Sequence, residues 1–81
     1  MRKVNGAAAY LAALGQAVRR HRERQGLSQE QFAFEVELDR TYVSGIERGV
    51  RNPTVATLVR LTKALDIAPS ALLKAAEKGG R

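Results

Sequence analysis

The chain has 81 residues, enough for one domain; 44% of them are hydrophobic, which allows one small core, and the absence of Cys excludes a disulfide framework or a thiolate metal site. A formal net charge of +6, with Arg far outnumbering Lys, favours a polyanionic partner, because each phosphate neutralised releases counterions. Met1 to Ala9 opens with positive charge and small residues, but no long apolar run precedes Gln16, Arg19 and Arg20; this reads as neither signal peptide nor membrane span, and the expected location is cytoplasmic.

Leu11, Leu14, Val18 and His21 recur at spacings of three and four and define one stripe of a first helix, from about Gly6 or Ala7 to Gln25, with Gly26 as its left-handed cap. Ser28 with Gln31 writes a capping box and Leu27 with Phe32 a hydrophobic staple, so helix 2 starts at Gln29, turns Phe32, Ala33 and Val36 inward and ends near Glu37. Asp39 caps helix 3, which runs from Arg40 to Arg48 and stops at Gly49, and Leu38 with Val43 repeats the staple. Val50 to Thr54 is a turn around Pro53. Val55, Leu58, Val59, Leu61, Thr62 and Leu65 mark helix 4; after a break at Asp66-Ile67-Ala68, Pro69 opens helix 5, which reaches about Lys78. The expected architecture is all-α: residues 1–13 form an N-terminal extension continuing into helix 1, 14–78 form a helix-turn-helix domain with helix 2 over about 29–37 and the recognition helix over about 40–48, and 79–81 form a frayed tail.

Helix 3 divides by face. At about 100° per residue, Arg40, Thr41, Ser44, Gly45 and Arg48 share one half while Tyr42, Val43 and Ile46 share the other. Arg40 at the first helical position opposes the helix dipole by roughly 0.3 to 1 kcal/mol. Gly45 inside a helix is about 1 kcal/mol worse than Ala, which predicts a close approach to the backbone at that turn. Two local penalties on one face mark a functional surface, and a polar, cationic helix behind a short capped connection suits a DNA major groove.

With these residues in view, Gly26 to Leu73 resembles the helix-turn-helix domain of the phage repressor and Cro superfamily. Phe32-Ala33-Phe34, Leu38 through Gly49 and Arg51-Asn52 are similar to the controller proteins of restriction-modification systems. The resemblance implies a sequence-specific, double-stranded-DNA-binding transcriptional regulator. It implies base-edge contacts from Arg40, Thr41 and Ser44, with Gly45 against the groove, and phosphate contacts from Ser28, Gln29, Arg48, Arg51 and Asn52. Tyr42 packs its ring inward while its hydroxyl can reach a phosphate. Arg22 and Glu47 match a partly buried structural ion pair of the family. The chain departs from the pattern in three places: Glu37 stands where a Gly usually ends helix 2, His21 replaces an aliphatic residue, and the N-terminal extension is longer, with Tyr10 and Leu11 able to cover the bundle or meet a partner.

Ile67, Leu72, Leu73 and Ala76 offer more apolar surface than a short terminal helix hides alone, which predicts a homodimer on a pseudo-palindromic operator. An enzyme is not expected: the single His has no nucleophile at a motif spacing, and neither a P-loop nor a dinucleotide fingerprint is present, so no cofactor and no metal are expected. The rival reading is an antitoxin-type module that neutralises a toxin and binds DNA secondarily. It requires an exposed apolar patch involving Phe34, Tyr10 or the helix 5 leucines. Whether RNA polymerase or a toxin is a protein partner is left open. RNA binding is disfavoured by the lack of an aromatic stacking platform.

Overall fold

The computed structural model describes residues 6–79. It contains five helices and, among the described residues, no strand: α1 (Ala7–Arg24), α2 (Gln29–Val36), α3 (Arg40–Glu47), α4 (Val55–Leu65) and α5 (Pro69–Gly79). The punctuation read from the sequence determines the boundaries. Gly26 turns the chain with φ +73°. At Ser28 the hydroxyl accepts the Gln31 N–H (3.0 Å) while the Gln31 side chain accepts the Ser28 N–H (2.8 Å), completing the capping box. Asp39 accepts the Thr41 N–H at 2.8 Å, and Thr54 accepts the Thr57 N–H at 3.1 Å. Each cap satisfies a donor that the first helical turn cannot satisfy internally.

The core gathers Val18 from α1, Phe32 from α2, Val43 and Ile46 from α3, Leu61 and Leu65 from α4 and Leu72 from α5, all essentially inaccessible to solvent. Several helix ends differ by a residue from expectation. α2 closes at Val36 with Glu37 as its left-handed cap (φ 58°, ψ 43°), and α3 closes at Glu47 with Arg48 as its cap. A second non-glycine left-handed residue, Asp66 (φ 58°), ends α4. Gly79 belongs to α5, whereas residues 80–81, like Met1 to Asn5, lie outside the described residues.

Ala7 to Ala13 are part of α1 and form one roof with its remainder. The Tyr10 hydroxyl donates to the Leu73 carbonyl at 3.3 Å, and Gly79 lies against Ala13. This roof corrects the expected dimer surface, for beneath it Leu72 and Ala76 are fully buried in their own subunit. Of the four residues assigned to that surface, only Ile67, half-buried, and Leu73, 36% exposed, can be reached from outside.

Along its other side α1 runs against α3 in the opposite direction. A Cβ on Gly15 would overlap the carbonyl oxygens of Ile46 and Glu47, the latter at 2.6 Å. One turn nearer the N-terminus, a Cβ on Gly49 would stand 2.7 Å from the Ala12 Cα. Gly49 also adopts φ +78°, which L side chains rarely do. Nearer still to the N-terminus, Ala7, Tyr10 and Leu11 share a surface hollow with Asn52 of the α3–α4 connection.

Candidate nucleic-acid interface

The recognition helix is held by a buried polar cluster. Arg22 on α1 donates from Nε to Glu47 Oε2 (2.7 Å) and from Nη2 to Glu47 Oε1 (2.9 Å), while its Nη1 donates to the Leu27 carbonyl (2.8 Å). Both residues are more than nine-tenths buried. The hydrogen bonds that Arg22 donates to Glu47 raise its pKa above its already high ordinary value. The ion pair joins α1, α3 and the α1–α2 turn, as the family resemblance implied.

Gln29 completes that cluster. Its amide Nε2 donates to Glu47 Oε1 at 3.0 Å, so the side chain expected on phosphate faces inward instead. The backbone N–H groups at the start of α2 remain suited to an anion. Glu47 has acceptor capacity left after binding Arg22, and the amide of the first residue of α2 meets that need.

Arg40 is exposed at the start of α3. Next to it, the Thr41 hydroxyl donates to Asp39 Oδ1 at 2.5 Å; with its proton committed, that oxygen is turned outward as an acceptor. The hydroxyl and N–H of Thr41 together hold the Asp39 carboxyl below its ordinary pKa. One turn on, the Ser44 Oγ accepts from Arg48 Nε at 3.3 Å. Among the described residues the ion pairs are Arg19–Glu23 and Arg22–Glu47, so Arg40, Arg48 and Arg51 face solvent without a carboxylate partner.

Gly45 requires a correction. It is buried, and a Cβ there would stand 2.5 Å from Arg51 Cγ. The close approach that the glycine signals is therefore made by the Arg51 stem from the following connection, and Gly45 itself is not presented. The Arg51 guanidinium carbon lies 5.8 Å from the centre of the half-buried Tyr42 ring, within cation–π range. Asn52 is exposed beside it. Arg51 thereby extends the cationic row of α3 past its C-terminal end.

Sequence reasoning missed three supports. Gly15 carried a usable signal, since a glycine in mid-helix is costly without a close neighbour. Arg60, which donates from Nη2 to the carbonyls of Val36 (2.5 Å) and Glu37 (2.9 Å), and Gln25, which donates to the Leu65 carbonyl (3.2 Å), are polar residues whose long-range partners no local pattern reveals. Phe34 is 85% exposed.

A helix-turn-helix family model matches residues 18–72, the span from mid-α1 to the buried Leu72. The chain belongs to the helix-turn-helix family of the repressor/Cro type. It is 47% identical over 60 residues to the control protein C.BamHI of Bacillus amyloliquefaciens, covering 73% of this chain and 74% of that one. Among solved structures it is similar to the restriction-modification controller protein C.AhdI from Aeromonas hydrophila, at 48% identity and a TM-score of 0.77 over 79% of this chain and 97% of that one. It is also similar to the restriction-modification controller protein C.Esp1396I, solved as a tetramer in complex with its natural 35 base-pair operator, at 33% identity and a TM-score of 0.74 over 86% and 92% of the two chains. Among the described residues of this helix-turn-helix protein, no helix is long and apolar enough to cross a membrane.

Proposed function

We propose that this protein is a cytoplasmic, non-enzymatic transcriptional regulator of the restriction-modification controller kind, binding a pseudo-palindromic DNA operator as a homodimer. The observation that carries the reading is the row of unpaired guanidinium groups, Arg40, Arg48 and Arg51, on and just beyond a helix whose buried side is locked by Arg22 and Glu47. Such a row of cations suits a polyanion. Arg40, Thr41 and Ser44 are assigned to base edges. Arg48, Arg51, Asn52, the Tyr42 hydroxyl, the Ser28 hydroxyl and the first N–H groups of α2 are assigned to phosphates.

The subunit contact is assigned to accessible apolar residues of α4, α5 and the connection between them: Ile67 and Leu73, with Val59, which is 49% exposed. Two recognition helices related by a twofold axis would then sit about one DNA turn apart, roughly 34 to 36 Å. The toxin-capping alternative draws on Phe34 alone among its named candidates for a strongly exposed apolar side chain, and the similarity to controller proteins favours regulation.

Selection of random duplexes by the wild-type protein tests the reading. It should enrich one sequence with inverted symmetry, and an adjacent endonuclease and methyltransferase pair in the genome should accompany the gene. Retention of all duplexes alike would defeat it.

A further inference from the structure

The α2–α3 connection is tight and its first residue is conformationally unfavourable. Glu37 bears a Cβ yet sits at φ 58°, ψ 43°, a region in which glycine is at ease and other L residues are not. The Glu37 N–H donates to the Phe34 carbonyl (3.2 Å) and the Leu38 N–H to the Ala33 carbonyl (3.0 Å), which closes the end of α2. Two residues after Glu37, Asp39 caps α3 and fixes where Arg40 and Thr41 begin. Glu37 thus stands just before the end of α3 that carries Arg40 and Thr41.

Among the described residues, one side chain from elsewhere in the fold hydrogen-bonds to this turn. Arg60 on α4 places a single nitrogen, Nη2, between the carbonyls of Val36 and Glu37, at 2.5 and 2.9 Å. The first is the carbonyl of the last residue of α2 and the second belongs to the left-handed residue itself, so a charged donor bridges the peptide units on both sides of the unfavourable torsion. Hydrogen bonds from a cation are stronger than neutral ones, and a cation also complements the negative end of α2. We infer that Arg60 is a positioning residue for DNA recognition, a brace from α4 that holds the turn in the one geometry presenting Arg40 and Thr41 to base edges. This inference rests on the DNA-binding reading above.

The test uses the full chain and the duplex that the wild-type protein enriches from a random pool. Arg60→Met keeps the length of the stem and removes the donors. Measured well below its melting temperature, it should lose about tenfold in preference for the enriched duplex over a scrambled one, the size of one impaired base contact, while its affinity for the scrambled duplex and its salt dependence stay at wild type. Backbone amide shifts of Leu38 through Thr41 should move in the free protein. Glu37→Gly, which allows the left-handed turn without a brace, should restore much of the preference in the double variant.

Wild-type preference together with unmoved amide shifts in Arg60→Met would overturn the inference. So would an equal loss on both duplexes with a shallower salt slope, because that is the behaviour of a phosphate contact. If Arg60→Met does not fold, Arg60→Gln, whose shorter neutral amide cannot bridge both carbonyls, takes its place with the same two readouts, and wild-type preference with unmoved amide shifts would overturn the role. A wild-type protein that enriches no duplex would defeat the DNA-binding reading instead, while the amide shifts would still report whether Arg60 holds the turn.

Discussion

Arg22 and Glu47 meet through two parallel hydrogen bonds of 2.7 and 2.9 Å, one from Nε and one from Nη2, joining the last turn of the fold's longest helix to the last residue of its recognition helix. With Gln29 and the Leu27 carbonyl as further partners, both charges are well satisfied in a place nearly closed to water. Removing one partner leaves the other buried and uncompensated. Arg22→Met and Glu47→Leu should each lower stability by about 3 to 5 kcal/mol, and the double variant should lose much less than their sum. Denaturant unfolding of the three variants checks the coupling; strictly additive losses would refute it.

Arg40 and Arg51 should fail in different ways. Arg40→Ala should weaken binding to the enriched duplex by about 1 to 3 kcal/mol, relax preference at one base position and spare scrambled DNA. Arg51→Ala should weaken both duplexes alike and make the salt slope shallower by about one unit. Fluorescence anisotropy titrations across a salt series distinguish the two patterns.

Leu72 and Leu73 are neighbours with different expected roles. Leu72→Glu should unfold the subunit, because it places a carboxylate in the core beneath α1, where Leu72 is fully buried. Leu73→Glu should leave the fold intact, shift a sedimenting dimer to monomer and weaken operator binding. A Leu73→Glu protein that remains dimeric would remove this residue from the subunit contact.

Acidification should destabilise the fold in two stages. Desolvation, followed by the charges of Arg24 and Arg20, depresses the His21 pKa below its ordinary value of 6.5, so the unfolded chain takes up a proton more readily than the folded one. The stability associated with neutral His21 is complete above about pH 6.5 and declines as pH falls through that value toward the lower folded pKa. The Asp39 carboxyl is depressed as well, so the stability of its cap is present above its ordinary value of 3.8 and is lost as pH falls below it through the folded pKa. Thermal melts across this range should show a shallow decline near neutrality that His21→Gln abolishes, followed by a second decline in acid.

The five helices were legible because their ends are written locally: Ser28 with Gln31, Asp39, Thr54 and Pro69 each act within four residues, and the apolar stripes follow from helical spacing. The exposed residues of α3 were legible for the same reason. What local pattern could not supply was the side chain brought in from a distance. Gly45 announced a close neighbour correctly, but that neighbour is Arg51, six residues on. Gln29 has the composition of a phosphate ligand and the position of a partner for Glu47, which only the packing of α2 against α3 decides. Leu72 and Ala76 read as surplus apolar surface on a helix considered alone; the surplus disappears once α1 lies across it. Arg60 gave no signal, because its acceptors are main-chain carbonyls.

The absent side chain of Gly15 has a consequence for operator geometry. Helix α1 touches α3 on one flank and α5 on another, so in a dimer built on α4 and α5 it links the surface that reads DNA to the surface that fixes the twofold axis. How closely α3 can seat against that link is limited by contact with the carbonyls of Ile46 and Glu47, which leave no room for even a methyl group. In the proposed dimer, half-site separation would then be gauged by this contact in the protein interior, and a different operator spacing could be acquired through a residue that never approaches DNA.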